Sequence, residues 1–181
     1  MNKMSYFSYF LVVFVLCVSS SYAAKEVDVD TICKEVSNST YCSALLNSKS
    51  GESRDLISFA EYAIEAARVN VTNTLELIKN LIANSGSNVE AKRHYEMCLY
   101  HFDEEYALGL VNEALDYVKS GAYESARQNA WAIQSHATDC VSGESPGETP
   151  YPDPSQLPNY AQLVTQTSEI FAHIVKFITQ P

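Results

Sequence analysis

The chain has 181 residues, with 22 acidic against 12 basic side chains and a formal net charge of −10. Such a surface repels nucleic acid and anionic lipid; it favours a basic partner, or simply keeps the protein in solution. The length suits one domain that can bury a core of its own, so any disulfides would support a fold rather than replace one.

Residues 1–24 read MNKMSYFSYFLVVFVLCVSSSYAA. Lys3 gives a basic start, Phe10 to Val18 form an unbroken apolar run, and Ser21 and Ala23 occupy the −3 and −1 positions of a cut after Ala23. This is the layout of a secretory signal peptide over 1–23, which leaves one domain over 24–181. The apolar run falls short of the roughly 20 residues that a membrane span needs, and the C-terminal IFAHIVKFITQP is interrupted by His173 and Lys176. Export without a membrane anchor is therefore expected. Losing Lys3 leaves 11 basic against 22 acidic residues, a formal −11.

Cys17 departs with the leader, leaving Cys33, Cys42, Cys98 and Cys140. In an oxidising compartment four cysteines suggest two disulfides, with three pairings on paper. Two sequons agree with export, Asn38-Ser39-Thr40 and Asn70-Val71-Thr72. Asn38 falls between the first two cysteines, in a polar loop. Asn70 falls within a helical pattern, on the flank of its apolar stripe.

Helical periodicity dominates the rest. Residues 29–36 and 40–47 read as two brief helices joined by a polar turn, a hairpin over about 26–48. A long pattern over 53–84 repeats Leu56, Ala60, Ile64, Ala67, Val71, Leu75, Ile78 and Ile82, and Gly86 would end it. Ser87 and Glu90 have capping-box spacing for a second helix running to about Ser120. Its stripe is Tyr95, Cys98, Phe102, Tyr106, Leu110, Ala114 and Tyr117, and Gly121 stops it. A third helix repeats Tyr123, Ala126, Ala130, Ile133, Ala137 and Cys140. Five of the six prolines then cluster in residues 142–158. A last helix carries Tyr160, Leu163, Thr167, Ile170, Ile174 and Phe177. Four long amphipathic helices cannot each bury an apolar face alone. The expectation is an all-α, antiparallel four-helix bundle over about 53–181, preceded by the helical hairpin.

In that bundle Cys98 and Cys140 lie on the stripes of neighbouring helices, while Cys33 and Cys42 straddle the hairpin turn. Pairing first with second and third with fourth satisfies both. Chain entropy assigns about 2.7 kcal/mol to the short loop and about 4 to the long one. His94, Cys98 and His101, with His136 and Cys140 on the next helix, offer zinc-like spacing. Cysteines of an exported chain oxidise, so no metal and no cofactor is expected. There is no C-x-x-C for redox work.

No catalytic set assembles. G-x-S-x-G, H-E-x-x-H, phosphate loops and EF-hand loops are absent from the sequence. Ser135, His136 and Asp139 are close in sequence but point in different directions from a helix. Asp103, Glu104 and Glu105 read as a solvated acidic face rather than paired catalytic carboxylates. The chain is not expected to be an enzyme.

Several short features fall in a particular order: two cysteines nine positions apart near the start, YEMC opening a long helix, KSGAYESA turning into the next, ATDC closing it, then a proline-bearing loop and a final amphipathic helix. In this order and spacing the chain resembles the plant invertase and pectin methylesterase inhibitor family. The resemblance implies a four-helix bundle with disulfides Cys33–Cys42 and Cys98–Cys140, a location in the apoplast or cell wall, and action as a proteinaceous enzyme inhibitor. One branch of that family occludes the shallow active-site cleft of pectin methylesterase. The other blocks acid invertase through a Pro-Lys-Phe motif between the second and third bundle helices. Here that turn reads Ser120-Gly121-Ala122-Tyr123, which resembles the first branch. Two departures stand out: Val141-Ser142 where an acidic pair usually follows the fourth cysteine, and a slightly longer stretch between Cys98 and Gly121. An acidic inhibitor would be steered to a basic enzyme, with no direct binding to polyanionic pectin. Glu96, Tyr100, Asp103 and Glu104 are the candidate partner contacts. A carrier of a small apolar ligand between the helices is an alternative of another class.

Overall fold

The computed structural model describes residues 28–51, 53–143 and 149–180. The signal-peptide reading falls on residues outside these. Among the described residues every regular element is a helix: α1 (Val29–Cys33), α2 (Ser39–Asn47), α3 (Leu56–Asn84), α4 (Val89–Phe102), α5 (Ala107–Ser120), α6 (Tyr123–Ser142) and α7 (Leu157–Thr179). Helix α3 packs on α4, α5 and α7, while α6 packs on α5, α4 and α7. That closes a ring of four rods in which α4 and α5 together form one. The architecture is the expected antiparallel four-helix bundle, with α1 and α2 as a hairpin at its side.

Local chemistry sets the helix ends. Asp55 caps α3 by accepting from the Ser58 amide at 2.8 Å. The cap of α4 is Asn88 rather than Ser87: the Asn88 Oδ1 accepts from the Ala91 amide at 3.0 Å, so the Ser87–Glu90 capping box read in the sequence does not form and a simple Asn cap takes its place. At the end of α5, Gly121 adopts φ 77°, and the Ala122 amide reaches back to the Tyr117 carbonyl at 2.8 Å. This left-handed closure needs glycine and reverses the chain directly into α6.

The α3 stripe is buried as expected from Leu56 to Ile78, and a second row of Phe59, Ala63 and Thr74 joins it because α3 is packed on more than one side. The α6 stripe from Ala126 to Cys140 is also buried. Two readings need correction. The second long helix is not continuous: α4 stops at Phe102 and α5 starts at Ala107. Beyond the break the buried positions are Ala107, Val111, Ala114 and Val118, not Tyr106, Leu110 and Tyr117. In α7 the first buried positions are Leu157, Ala161 and Val164, while Tyr160 and Leu163 are each 37% exposed. Helix α7 begins earlier than expected and touches α3, α6 and both hairpin helices, so its face is set by several neighbours.

Cys33–Cys42 closes the hairpin and Cys98–Cys140 ties α4 to α6, with Cα atoms 5.5 and 4.6 Å apart. The hairpin docks on α7 through polar contacts. Glu35 takes an ion pair from Lys176 at 2.6 Å, and the Ser37 amide donates to the Glu169 carboxylate at 3.0 Å. The Lys176 ammonium, through its hydrogen bond, holds the Glu35 carboxyl below its ordinary pKa. Tyr41 and Thr167 meet hydroxyl to hydroxyl at 3.1 Å.

Candidate partner-binding face

The four contact candidates fall on the end of α4 and the turn into α5. Glu96 and Tyr100 are one helical turn apart and both exposed, Tyr100 to 48%. Glu96 faces Lys92 at 3.9 Å, but both side chains are about half in solvent, so the pair holds little energy. Glu104 is exposed and Asp103 half-buried. Asp103 organises the break. Its backbone is extended at φ −73° and ψ −174°, its side chain accepts from the Glu105 amide at 2.9 Å, and its carbonyl accepts from the Tyr106 and Leu108 amides. The helix is interrupted here because Asp103 satisfies amides that a continuing helix would send elsewhere.

Gly109 makes the break sterically possible. A Cβ on it would meet the Glu104 carbonyl oxygen at 2.2 Å, so the turn lies directly on the first turn of α5. This residue was missed in the sequence. The available signal was a glycine inside a helical pattern, just after an Asp-Glu-Glu run.

Tyr106, expected in the core, lies half-buried in the turn. Its hydroxyl abuts that of Tyr100, and the ring centroids are 4.2 Å apart. The Tyr100 hydrogen bond, with burial and the Glu105 and Asp103 charges, pushes the Tyr106 phenol up to about 12. Behind the pair, His101 of α4 and His136 of α6 approach Nδ1 to Nδ1 at 3.1 Å. Burial and then the adjacent His101 pull the His136 pKa down, against the pull of Asp139 and Asp103.

One helical turn earlier, α4 anchors the chain that enters α7. Tyr95 donates to Asp153 Oδ1 at 2.8 Å, and the same oxygen accepts from the Ser155 amide at 2.9 Å. His94 stacks on Tyr151, centroids 4.6 Å apart, with its Nε2 3.7 Å from Asp153 Oδ2. Burial lowers the His94 pKa, which Asp153 partly offsets, and burial with the Asp153 bond pushes the Tyr95 phenol up to about 12.

The five residues with zinc-like spacing do not converge as a set. Cys98 and Cys140 are joined to each other, His101 faces His136, and His94 turns to Asp153. Ser135 and Asp139 meet at 3.3 Å one turn apart on α6, while His136 points to His101, so no triad forms from them. The face presents carboxylates in solvent around a half-exposed tyrosine at the end of α4 and the turn into α5.

Comparison with known proteins agrees with this geometry. Residues 27–171 match the family model described as plant invertase/pectin methylesterase inhibitor. Pectinesterase inhibitor 1 of Arabidopsis thaliana is 29% identical over 128 residues, covering 71% of this chain and 70% of that protein. Two crystal structures share the fold, a mutant form of a pectin methylesterase inhibitor from Arabidopsis and a pectin methylesterase inhibitor from Arabidopsis thaliana. Their TM-scores are 0.70 and 0.61 at 22% and 20% identity, each covering 84% of this chain and 97% of the other. The chain belongs to the plant invertase/pectin methylesterase inhibitor family.

Proposed function

We propose that this chain is a secreted, non-catalytic inhibitor of pectin methylesterase that works by covering the enzyme's active-site cleft. The carrying observation is the family match over 27–171 together with the similarity to a pectinesterase inhibitor. The turn between α5 and α6 supports the same branch. Gly121 closes it in a left-handed conformation and Tyr123 starts the next helix, with no Pro-Lys-Phe inserted. The α4–α5 face, with Glu96, Tyr100, Asp103 and Glu104, is the surface assigned to the enzyme. Its charge attracts a basic partner, so association should slow as salt rises.

The disulfides and the apolar leader support an extracellular location in the cell wall, and no described helix is long and apolar enough to cross a membrane. A ligand-carrying bundle has less support, because Phe59, Phe102, Phe171, Ile133 and Ile174 fill the space between the stripes. Titrating purified protein into pectin methylesterase and acid invertase tests the reading. Loss of methylesterase activity with invertase unaffected is expected. Loss of invertase activity alone would overturn it.

A further inference from the structure

Tyr100 and Tyr106 stand six residues apart, a spacing that keeps side chains separate on a continuous helix. Six residues advance a helix by about 9 Å and turn it well past a full revolution, so the two rings would point to different sides. The break at 103–106 cancels that separation. It brings the hydroxyls together and sets the ring centroids 4.2 Å apart, with the planes at 47°. The carbons ortho to each hydroxyl flank the contact. Tyr100 is 48% exposed, so an oxidant in solution can reach the pair. The other tyrosine pair among the described ring contacts, Tyr95 with Tyr151, is edge-on at 6.2 Å, and Tyr95 is buried and bonded to Asp153.

We infer that Tyr100 and Tyr106 form a site of oxidative modification, at which one-electron oxidation joins the two rings as an intramolecular dityrosine bridging the end of α4 to the start of α5. The oxidant is hydrogen peroxide acting through a haem peroxidase. Each phenol gives up one electron and one proton, and the peroxide is reduced to two waters. The paired phenoxyl radicals combine through their ortho carbons, forming one carbon–carbon bond. Two ring hydrogens leave as protons while the phenolic oxygens regain theirs, so the chain loses two hydrogen atoms in all. His101 lies against Tyr100 at 5.5 Å between centroids, and His136 against Tyr106 at 5.0 Å. These ring contacts back the two phenols from the α4 and α6 side. Holding the rings in contact before oxidation makes coupling unimolecular, which favours it over coupling between molecules.

The crosslink involves Tyr100, on the surface assigned to the enzyme, but its formation needs no enzyme partner, so its test uses the purified full chain alone. The protein is treated with a haem peroxidase and hydrogen peroxide, reduced, and cut after glutamate. The expected product is residues 97–104 covalently joined to residues 106–113, lighter by two hydrogens than the sum of the two peptides, with dityrosine fluorescence. Its yield should hold on serial dilution. Tyr106→Phe and Tyr100→Phe should each abolish it, with the far-ultraviolet circular dichroism of each variant confirming a folded chain. Tyr160→Phe, at another exposed tyrosine, should leave it unchanged. Oxidation of the half-exposed Trp131 would add oxygen and is separable by mass. Coupling between chains, joined peptides centred on other tyrosines, or no coupling while Trp131 is oxidised would each overturn the inference.

Discussion

Replacing Gly109 with alanine isolates the contact that permits the α4–α5 break. An alanine Cβ would sit 2.2 Å from the Glu104 carbonyl oxygen, where real Cβ contacts stay beyond 3.0 Å. The obstacle is backbone, so no side-chain rotation relieves it. Forcing extra atoms into such a site costs about 1–3 kcal/mol, and the upper part applies where the neighbour is main chain. Alanine's better helix propensity returns roughly 1 kcal/mol. Straightening α4 and α5 into one helix is a poor escape, because the buried positions step by five from Phe102 to Ala107. Removing that extra residue from the phase turns α5 by about 100° and carries Val111 and Val118 out of the core, each costing about 1.5–3 kcal/mol. The net expectation is a loss of about 1.5 kcal/mol, or roughly 3–6 °C in Tm for a domain of this size. Thermal melting followed by circular dichroism measures it. A Gly109→Ala protein that melts higher than the parent would refute the contact.

Other outcomes follow from the same geometry. Tyr95→Phe removes the donor to Asp153 Oδ1, and losing a hydrogen bond to a charged group of this kind should cost about 1.5–3 kcal/mol; faster proteolytic cutting around residues 149–156 would locate the loss there. His94 and His136 have lowered pKa values in the native state, so the unfolded chain binds more protons than the folded one as pH falls through about 6.5. Stability should therefore be full above that pH and decline between it and the folded values, and His94→Gln with His136→Gln should flatten Tm across this range. Glu35, Asp55, Glu65 and Glu124 have lowered pKa values, so their contribution should persist to lower pH and fall away only below about 4. Of the two sequons, Asn38 lies within the hairpin loop, whereas the Asn70 Nδ2 donates to Thr167 at 2.8 Å between α3 and α7. Expression in a glycosylating host should give a mobility shift that Asn38→Gln removes and Asn70→Gln leaves in place.

Periodicity carried most of the fold. The run Leu56 to Ile78 and the run Ala126 to Cys140 lie in the core where three-and-four spacing puts them, since one buried face of a helix leaves its mark in the sequence. The disulfide pairing was legible too, because Cys98 and Cys140 sit on stripes that neighbouring helices must turn toward each other. The partner face was legible only as a charge run with one aromatic. Its shape was not, because Tyr106 and Leu110 also continue the earlier spacing without interruption.

Composition and periodicity alone determined an acidic, all-helical bundle stapled by two disulfides, because burying an amphipathic stripe is a local requirement repeated along the chain. Only the folded chain decided where the second rod breaks and which tyrosines meet. That break depends on Asp103 holding amides across the turn and on the Glu104 carbonyl resting against Gly109, contacts between residues about five apart that no stripe encodes. Tertiary packing also turned α7 so that Ala161 and Val164, rather than Tyr160 and Leu163, face inward. A helix touched on several sides is oriented by the sum of its neighbours, and that sum exists only once they are in place.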